Sequence, residues 1–316
     1  MTNLDFFHGH IHSEVGSLLD GAIRIPELPK LAKKLGMSSI SITDHGSLAG
    51  TLEFYRECKK EKIKPVLGIE GYLTMDKDGL DKEQMTRDNY HIILYAANEE
   101  GWRNLLWLSS NAYQNNFYYK PRISIENLKN HARGIICSSA CLSSVCSRFA
   151  SYDDITKSFN DVDHRAEKWV SFFKEIFQGR FYLELMQSIS PEQIAYNEFL
   201  IYLGKKTGVK NTITSDAHYE TKEDEPLHEM LMAMQSKQTI ESYRGEGYFS
   251  YHGCYIRTPQ EMFEAAKLVG CEEAFHNSLE IPAQVELEFE LNKYKLPVFD
   301  ITSDPDYEEF KGCIHG

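Results

Sequence analysis

Short apolar runs rich in Ile, Val and Leu alternate along this chain with longer stretches whose apolar residues recur every three to four positions. The short runs predict strands at residues 4–10, 39–43, 65–73, 91–96, 134–138, 180–187 and 211–215. The stretches between them predict helices at 26–35, 48–62, 99–114, 125–130, 162–176 and 191–207. Strands that alternate with helices imply parallel strands, in an open sheet or a barrel. Seven strands fit a closed barrel better than a two-halved dinucleotide fold, and no GxGxxG opens a helix.

Beyond His218 the pattern changes. Helices are predicted at 224–238, 259–269 and 271–284, with a loop at 245–253. This divides the chain into a barrel over 1–220, a helical extension packed on it over 221–293, and a tail or linker over 294–316. Pro297, Pro305 and several acids mark that last stretch.

Composition narrows the class. A chain of 316 residues with 42% hydrophobic content can bury a sizeable core. No apolar run approaches the roughly 20 residues of a membrane span, and residues 1–5 lack the regions of a secretory leader. Seven cysteines, odd in number and without a CxxC pair, fit a reducing cytoplasmic setting. The net charge of −13 argues against a general nucleic-acid coat. It does not argue against a nuclease, because bound divalent cations supply local positive charge.

The chemistry lies at the strand ends. His8, His10 and His12 alternate with other residues, and side chains two apart on a strand share a side. Neutral imidazole is the commonest metal ligand among side chains, so this pattern points to a metal rather than a surface strand. Asp44-His45 follows the second strand, Glu70 lies on the third, Cys141 follows the fifth, and Ser215-Asp216-Ala217-His218 closes the seventh. In an α/β barrel, active side chains come from the C-terminal ends of several strands. His91 opens its strand and is the one misfit, an offset within the accuracy of a predicted boundary. His, Asp, Glu and Cys together suit Zn, Mn or Fe better than Mg. The donors exceed one tetrahedral site, so two to three divalent metals are expected, with Glu70 able to bridge two. Such clusters hydrolyse phosphate esters. Asp44 is expected to orient a neighbouring histidine. Cys137 and Cys146 read as core, and His8 as a neighbour of the site. His131, His164, His228, His252, His276 and His315 read as structural or surface residues, and residues 230–234 as core. Lys120 and Arg122 read as part of a polar, aromatic-rich loop, where they could contact a DNA phosphate while Tyr118 or Tyr119 stacks on a base. The alternative is that this loop packs the barrel rim.

Several segments together resemble the polymerase-and-histidinol-phosphatase (PHP) domain, as found in bacterial DNA polymerase III alpha subunits. They are residues 7–21, 42–46, 64–70, 118–123, 139–143, 214–219, 255–262 and 285–289, and Leu296-Pro297. The resemblance implies a distorted, TIM-like (β/α)7 barrel holding up to three metals. Carried over residue by residue, its metal ligands are His10, His12, Asp20, His45, Glu70, His91, Cys141, Asp216 and His218. An intact set implies a metal-dependent phosphoesterase, specifically a proofreading 3′–5′ exonuclease, in which His45, Glu70 and His218 take catalytic roles. The implied partners are a DNA 3′ end (single-stranded or frayed), the remaining polymerase domains in cis or in trans, and a separate exonuclease subunit, with no membrane. Competing expectations are a non-catalytic, metal-stabilised module that supports the polymerase, and a small-molecule phosphatase. Two departures stand out. The spacing from His12 to Asp20 is one residue longer than usual, with Gly16 as the extra, and no paired-aspartate polymerase motif is present, so this chain alone is not expected to synthesise DNA.

Overall fold

The computed structural model describes residues 4–188, 190–245, 252–291 and 293. The predicted tail at 294–316 and residues 246–251 of the predicted loop lie outside the described residues. The strands are β1 (Ser39–Ile42), β2 (Lys64–Thr74), β3 (Tyr90–Ala96), β4 (Phe117–Tyr118), β5 (Lys120–Ser124), β6 (Ile135–Ser138), β7 (Ser151–Asp153), β8 (Ser158–Asn160), β9 (Phe181–Met186) and β10 (Lys210–Thr214). The helices of the first part are α1 (Leu28–Lys34), α2 (Thr51–Glu61), α3 (Glu99–Gln114), α4 (Ile125–Asn130), α5 (Val145–Arg148), α6 (Arg165–Ile176) and α7 (Pro191–Thr207). Beyond them come α8 (Glu225–Gln235), α9 (Ile240–Gly245), α10 (Pro259–Val269), α11 (Glu273–Ser278) and α12 (Glu280–Ala283).

The main sheet runs β10-β9-β6-β3-β2-β5-β4, with β1 on the same edge of β2 that β5 extends. The gap between β1 and β10 is closed by the extended residues 8–13. Ser41 and Thr43 donate their amides to the carbonyls of His8 and Ile11, and His10 and His12 exchange backbone bonds with Ala217. Seven staves thus curl into a distorted barrel. The predicted first strand at 4–10 is displaced. Its backbone contacts form at residues 8–13 and are too few for a continuous ladder.

One strand runs against the expected direction. β3 pairs antiparallel with both β2 and β6, whereas β1–β2, β2–β5, β6–β9 and β9–β10 are parallel. Residues 75–89 between β2 and β3 form no helix. Without a crossover helix the chain cannot return to start a parallel neighbour, so it turns back. The 115–124 region also departs from expectation. Lys120–Ser124 is a strand, joined to Tyr72–Thr74 and folded back on β4 through Tyr119 at φ +59°.

Helix ends follow local chemistry. Asn98 caps α3 by accepting the Gly101 amide, and Thr258 and Glu261 form a reciprocal capping box on α10. The predicted helix at 271–284 breaks at Leu279, because Pro282 cannot donate to the Ser278 carbonyl. The predicted 224–238 helix ends at Gln235, and α9 follows it unforeseen. One hydrophobic core joins the barrel and the later helices, running from Phe6 to Leu287. Helix α11 packs on β10, and Phe289 lies against Tyr55 and Trp102.

Candidate metal centre

The first stave sets the geometry. Alternation puts His10 and His12 on one side with ring centroids 4.9 Å apart, while Ile11 enters the core. At Gly9 the backbone passes so close to Tyr95 that an added Cβ would lie 2.7 Å from its hydroxyl. That hydroxyl donates to the Gly9 carbonyl. After Ser13 the chain is clasped by buried Asp44, which accepts the Ser13 amide at 2.6 Å, the Ser13 hydroxyl at 2.7 Å and the Ser17 hydroxyl at 2.8 Å. Ser17 Oγ in turn lies 3.1 Å from His12 Nδ1 and accepts the His45 amide at 3.1 Å. Asp44 therefore reaches the histidines through Ser17, not directly as expected. Gly16 lies against Asp44, and any Cβ there would overlap the carboxylate.

All nine residues of the expected set converge at one end of the barrel. His10 Nε2 lies 3.2 Å from both Glu70 Oε1 and Asp216 Oδ1, and His12 Nε2 lies 3.1 Å from Asp216 Oδ1. Glu70 Oε2 meets His45 Nδ1 at 2.5 Å, and Glu70 Oε1 meets His91 Nδ1 at 2.9 Å. Cys141 Sγ is 3.5 Å from His91 Nδ1. Asp20 touches His45 Nε2 at 2.9 Å and His218 Nε2 at 3.5 Å. Three overlapping groups each bring ligand atoms within 4.8 Å of one another: His12, His45 and His218; His10, His12 and Glu70; Glu70, His91 and Cys141. The reversed direction of β3 resolves the misfit of His91. Its partner across the ladder is Tyr72, near the C-terminal end of β2, and its amide binds the Ser143 carbonyl beyond β6. The start of an antiparallel strand lies at the same barrel end as its neighbours' finishes, so no boundary error was involved.

Two contributors escaped sequence reasoning. Glu184, fully buried on β9, sits 2.7 Å from His10 Nδ1 and accepts from the Ser138 and Thr214 hydroxyls. This fixes the ring so that Nε2 faces the centre. A lone carboxylate inside the apolar run Phe181–Met186 was the available signal. The second is His228 of α8, buried with Nε2 3.5 Å from Asp20 Oδ1. Residues read more plainly keep their places. Cys137 and Cys146 are core, and His8 points away toward the Arg257 carbonyl. The methionine-rich stretch is core only in part, with Met232 and Ala233 buried and Met230 and Met234 exposed.

Arg122 is a correction. It is 1% exposed, bound to Asp76 at 3.1 Å and to the Thr86 carbonyl at 2.8 Å, so its guanidinium cannot reach a phosphate in solution. Lys120 is exposed, with its ammonium 5.1 Å from the ring centre of Tyr72, which itself packs on His91.

Charge in the centre is finely opposed. Burial disfavours the charged form of Glu70, yet His91, His45 and His10 hold its pKa well below the carboxylate range. Burial also works against charge on His45, but Glu70 and Asp20 raise it to about 9. His12, buried and beside His45 and His218, is pushed down to about 3 and is neutral. Histidines and ionised acids thus face one another across shared space, where a cation would displace the protons. The donors fit that role, because buried His10 Nε2 makes no directed hydrogen bond although two carboxylates flank it. A cavity of about 420 Å³ opens beside the centre, lined by His91, Cys141 and Asp216 and by neutral Ser143, Gln187 and Gln193.

Comparison with known proteins gives a consistent picture. The PHP domain family matches residues 8–188. The DNA polymerase III subunit alpha of Aquifex aeolicus is 39% identical over 318 residues, covering 97% of this chain and 27% of that protein. Its counterpart in Helicobacter pylori is 39% identical over 295 residues, covering 93% and 24%. The Thermus aquaticus protein is 34% identical over 310 residues, covering 95% and 24%. The chain spans about a quarter of the length of these relatives.

Proposed function

The chain belongs to the PHP domain family, and from that premise we propose that its centre holds two to three divalent metals and hydrolyses phosphate esters. The observation that carries this reading is the convergence of three overlapping ligand groups at one barrel end. The nine residues proposed to hold the metals are His10, His12, Asp20, His45, Glu70, His91, Cys141, Asp216 and His218. Mixed nitrogen, oxygen and sulfur donors favour Zn, Mn or Fe over Mg. Bound metals would supply Lewis acidity and neutralise charge on phosphate oxygens. The chain's own part is positional. Glu70 presents its two oxygens to different histidines, as a bridging carboxylate must. His45 and His218 line the cavity, and their proposed catalytic role is to hold metal that would neutralise a departing oxygen.

The proposed substrate is the 3′ end of DNA, single-stranded or frayed, cleaved as a proofreading exonuclease. The polymerase III relatives support this choice, with the other polymerase domains as partners in cis or in trans. Among the described residues the cavity lining holds no Lys or Arg, so the proposed metals would meet phosphate charge there, with exposed Lys120 as the proposed phosphate contact outside it. Incubating the chain with Mn or Zn and labelled single-stranded DNA should release 3′ nucleotides, and His12→Ala should abolish the release. Equal rates in both proteins would sink the exonuclease reading.

Full burial of His10, His12 and Glu70 favours a second reading, in which metals chiefly hold the barrel seam and the module supports a polymerase or docks a separate exonuclease. Chelation would then lower the melting temperature with no nuclease activity to lose. A panel of phosphate monoesters separates both from a small-molecule phosphatase.

A further inference from the structure

We propose that His228, on helix α8 of the later helical region, is a positioning residue of the metal centre that holds Asp20 in place when metal is bound. The inference rests on the reading of Asp20, His45 and His218 as metal ligands. Asp20 lies in the loop after the first stave, and among the described residues three imidazoles approach its carboxylate. Its Oδ2 meets His45 Nε2 at 2.9 Å, and its Oδ1 lies 3.5 Å from both His218 Nε2 and His228 Nε2.

These three imidazoles are not equivalent. His218 Nδ1 lies 2.7 Å from the Asp216 carbonyl, which can only accept, so Nδ1 carries the proton. With the ring neutral, Nε2 is then a bare lone pair, suited to a metal and unable to donate to Asp20. His45 stands between two carboxylates, and a metal taking its Nε2 would end its donation to Asp20 as well. His228 lies outside the proposed ligand set, and a proton on its Nε2 would be directed at Oδ1 whether or not metal is bound. At 3.5 Å the contact is longer than a formed hydrogen bond, and a shift of about half an ångström closes it.

The placement of His228 is built, not incidental. It is buried, one turn from buried Met232, with its ring 5.3 Å from His218 and 5.4 Å from Tyr219. Thr221 and Asp224 form a capping box just before α8, and Pro226 lies in its first turn. Glu229, the next residue, pairs with Arg244 of α9. The later helices thereby supply a polar group to the barrel's centre.

The test is calorimetric titration of the metal-free full chain with Mn, comparing wild type, His228→Leu and His228→Gln. Gln places an amide donor near the position of Nε2 but is a poor metal ligand. The expected result is roughly 10- to 100-fold weaker affinity for the last metal equivalent in the Leu variant, with affinity restored in the Gln variant. Should the Leu variant not fold, His228→Asn, whose donor sits at the depth of Nδ1, takes its place with the same expectation. Wild-type affinity in the Leu or Asn variant overturns the proposal, as does a Gln variant no better than either. Wild type that binds no Mn would instead overturn the reading of the centre on which this one rests.

Discussion

Two buried polar clusters in this molecule look alike by composition and differ in kind. At one, Arg122 binds Asp76 and backbone carbonyls, while Asp78 accepts the side-chain amides of Asn111, Asn116 and Asn127. Cations and amides face carboxylates there, so the opposing charges come from the protein itself, although buried Arg122 Nε makes no hydrogen bond. At the other, five histidines and three acids crowd together, and His10 Nε2 sits between two carboxylates without a directed bond. Both are charged and buried. The second differs in gathering ligand lone pairs into one shared space, an arrangement that could hold a cation.

Breaking the first cluster should cost the most stability and change the least chemistry. Arg122→Ala strands Asp76 and should lower unfolding stability by about 3–5 kcal/mol, read by thermal melting in EDTA, with metal equivalents at saturation unchanged. Metal loss in that variant would show that the clusters are coupled. The second cluster should respond to chelation instead. Metal at 100-fold its dissociation constant stabilises by roughly 2.7 kcal/mol, which at about 2–4 °C per kcal/mol is a fall of about 5–10 °C in melting temperature on adding EDTA. Glu70→Gln should melt at one temperature with or without EDTA, and a persisting shift would remove Glu70 from the centre.

A smaller effect is expected at the clasp beneath the centre. Gly16→Ala forces a Cβ into Asp44 and should cost about 1–3 kcal/mol in urea denaturation, together with weaker metal affinity as Ser17 moves off His12. Unchanged stability would mean that the loop around Gly16 yields freely. The smallest effect falls on Lys120. Being exposed, Lys120→Ala should change stability by less than about 0.5 kcal/mol, and it should raise KM for DNA while leaving kcat alone.

Much of the fold was legible. The staves after the first and most helices fall within a few residues of their predicted bounds, because amphipathic period and punctuation are local properties. The direction of β3 was not read, although the absence of a helix between residues 74 and 90 was its sign. Lys120–Ser124 reads as loop in the sequence because five residues with a proline carry little strand signal, and pairing with β2 makes it a strand.

What the sequence determined by itself is the inventory of donors and the side each takes on its own strand. His10 and His12 had to share a face once that segment was extended. Tertiary structure decided which donors meet. His91 joins because its strand is reversed, Glu184 reaches His10 across 174 residues, and His228 arrives on a helix beyond the barrel strands. Arg122 leaves the list because folding buried it against Asp76. A side chain's type and local direction are written in its neighbours along the chain. Its partners are set by long-range packing, and a ligand is defined by its partners.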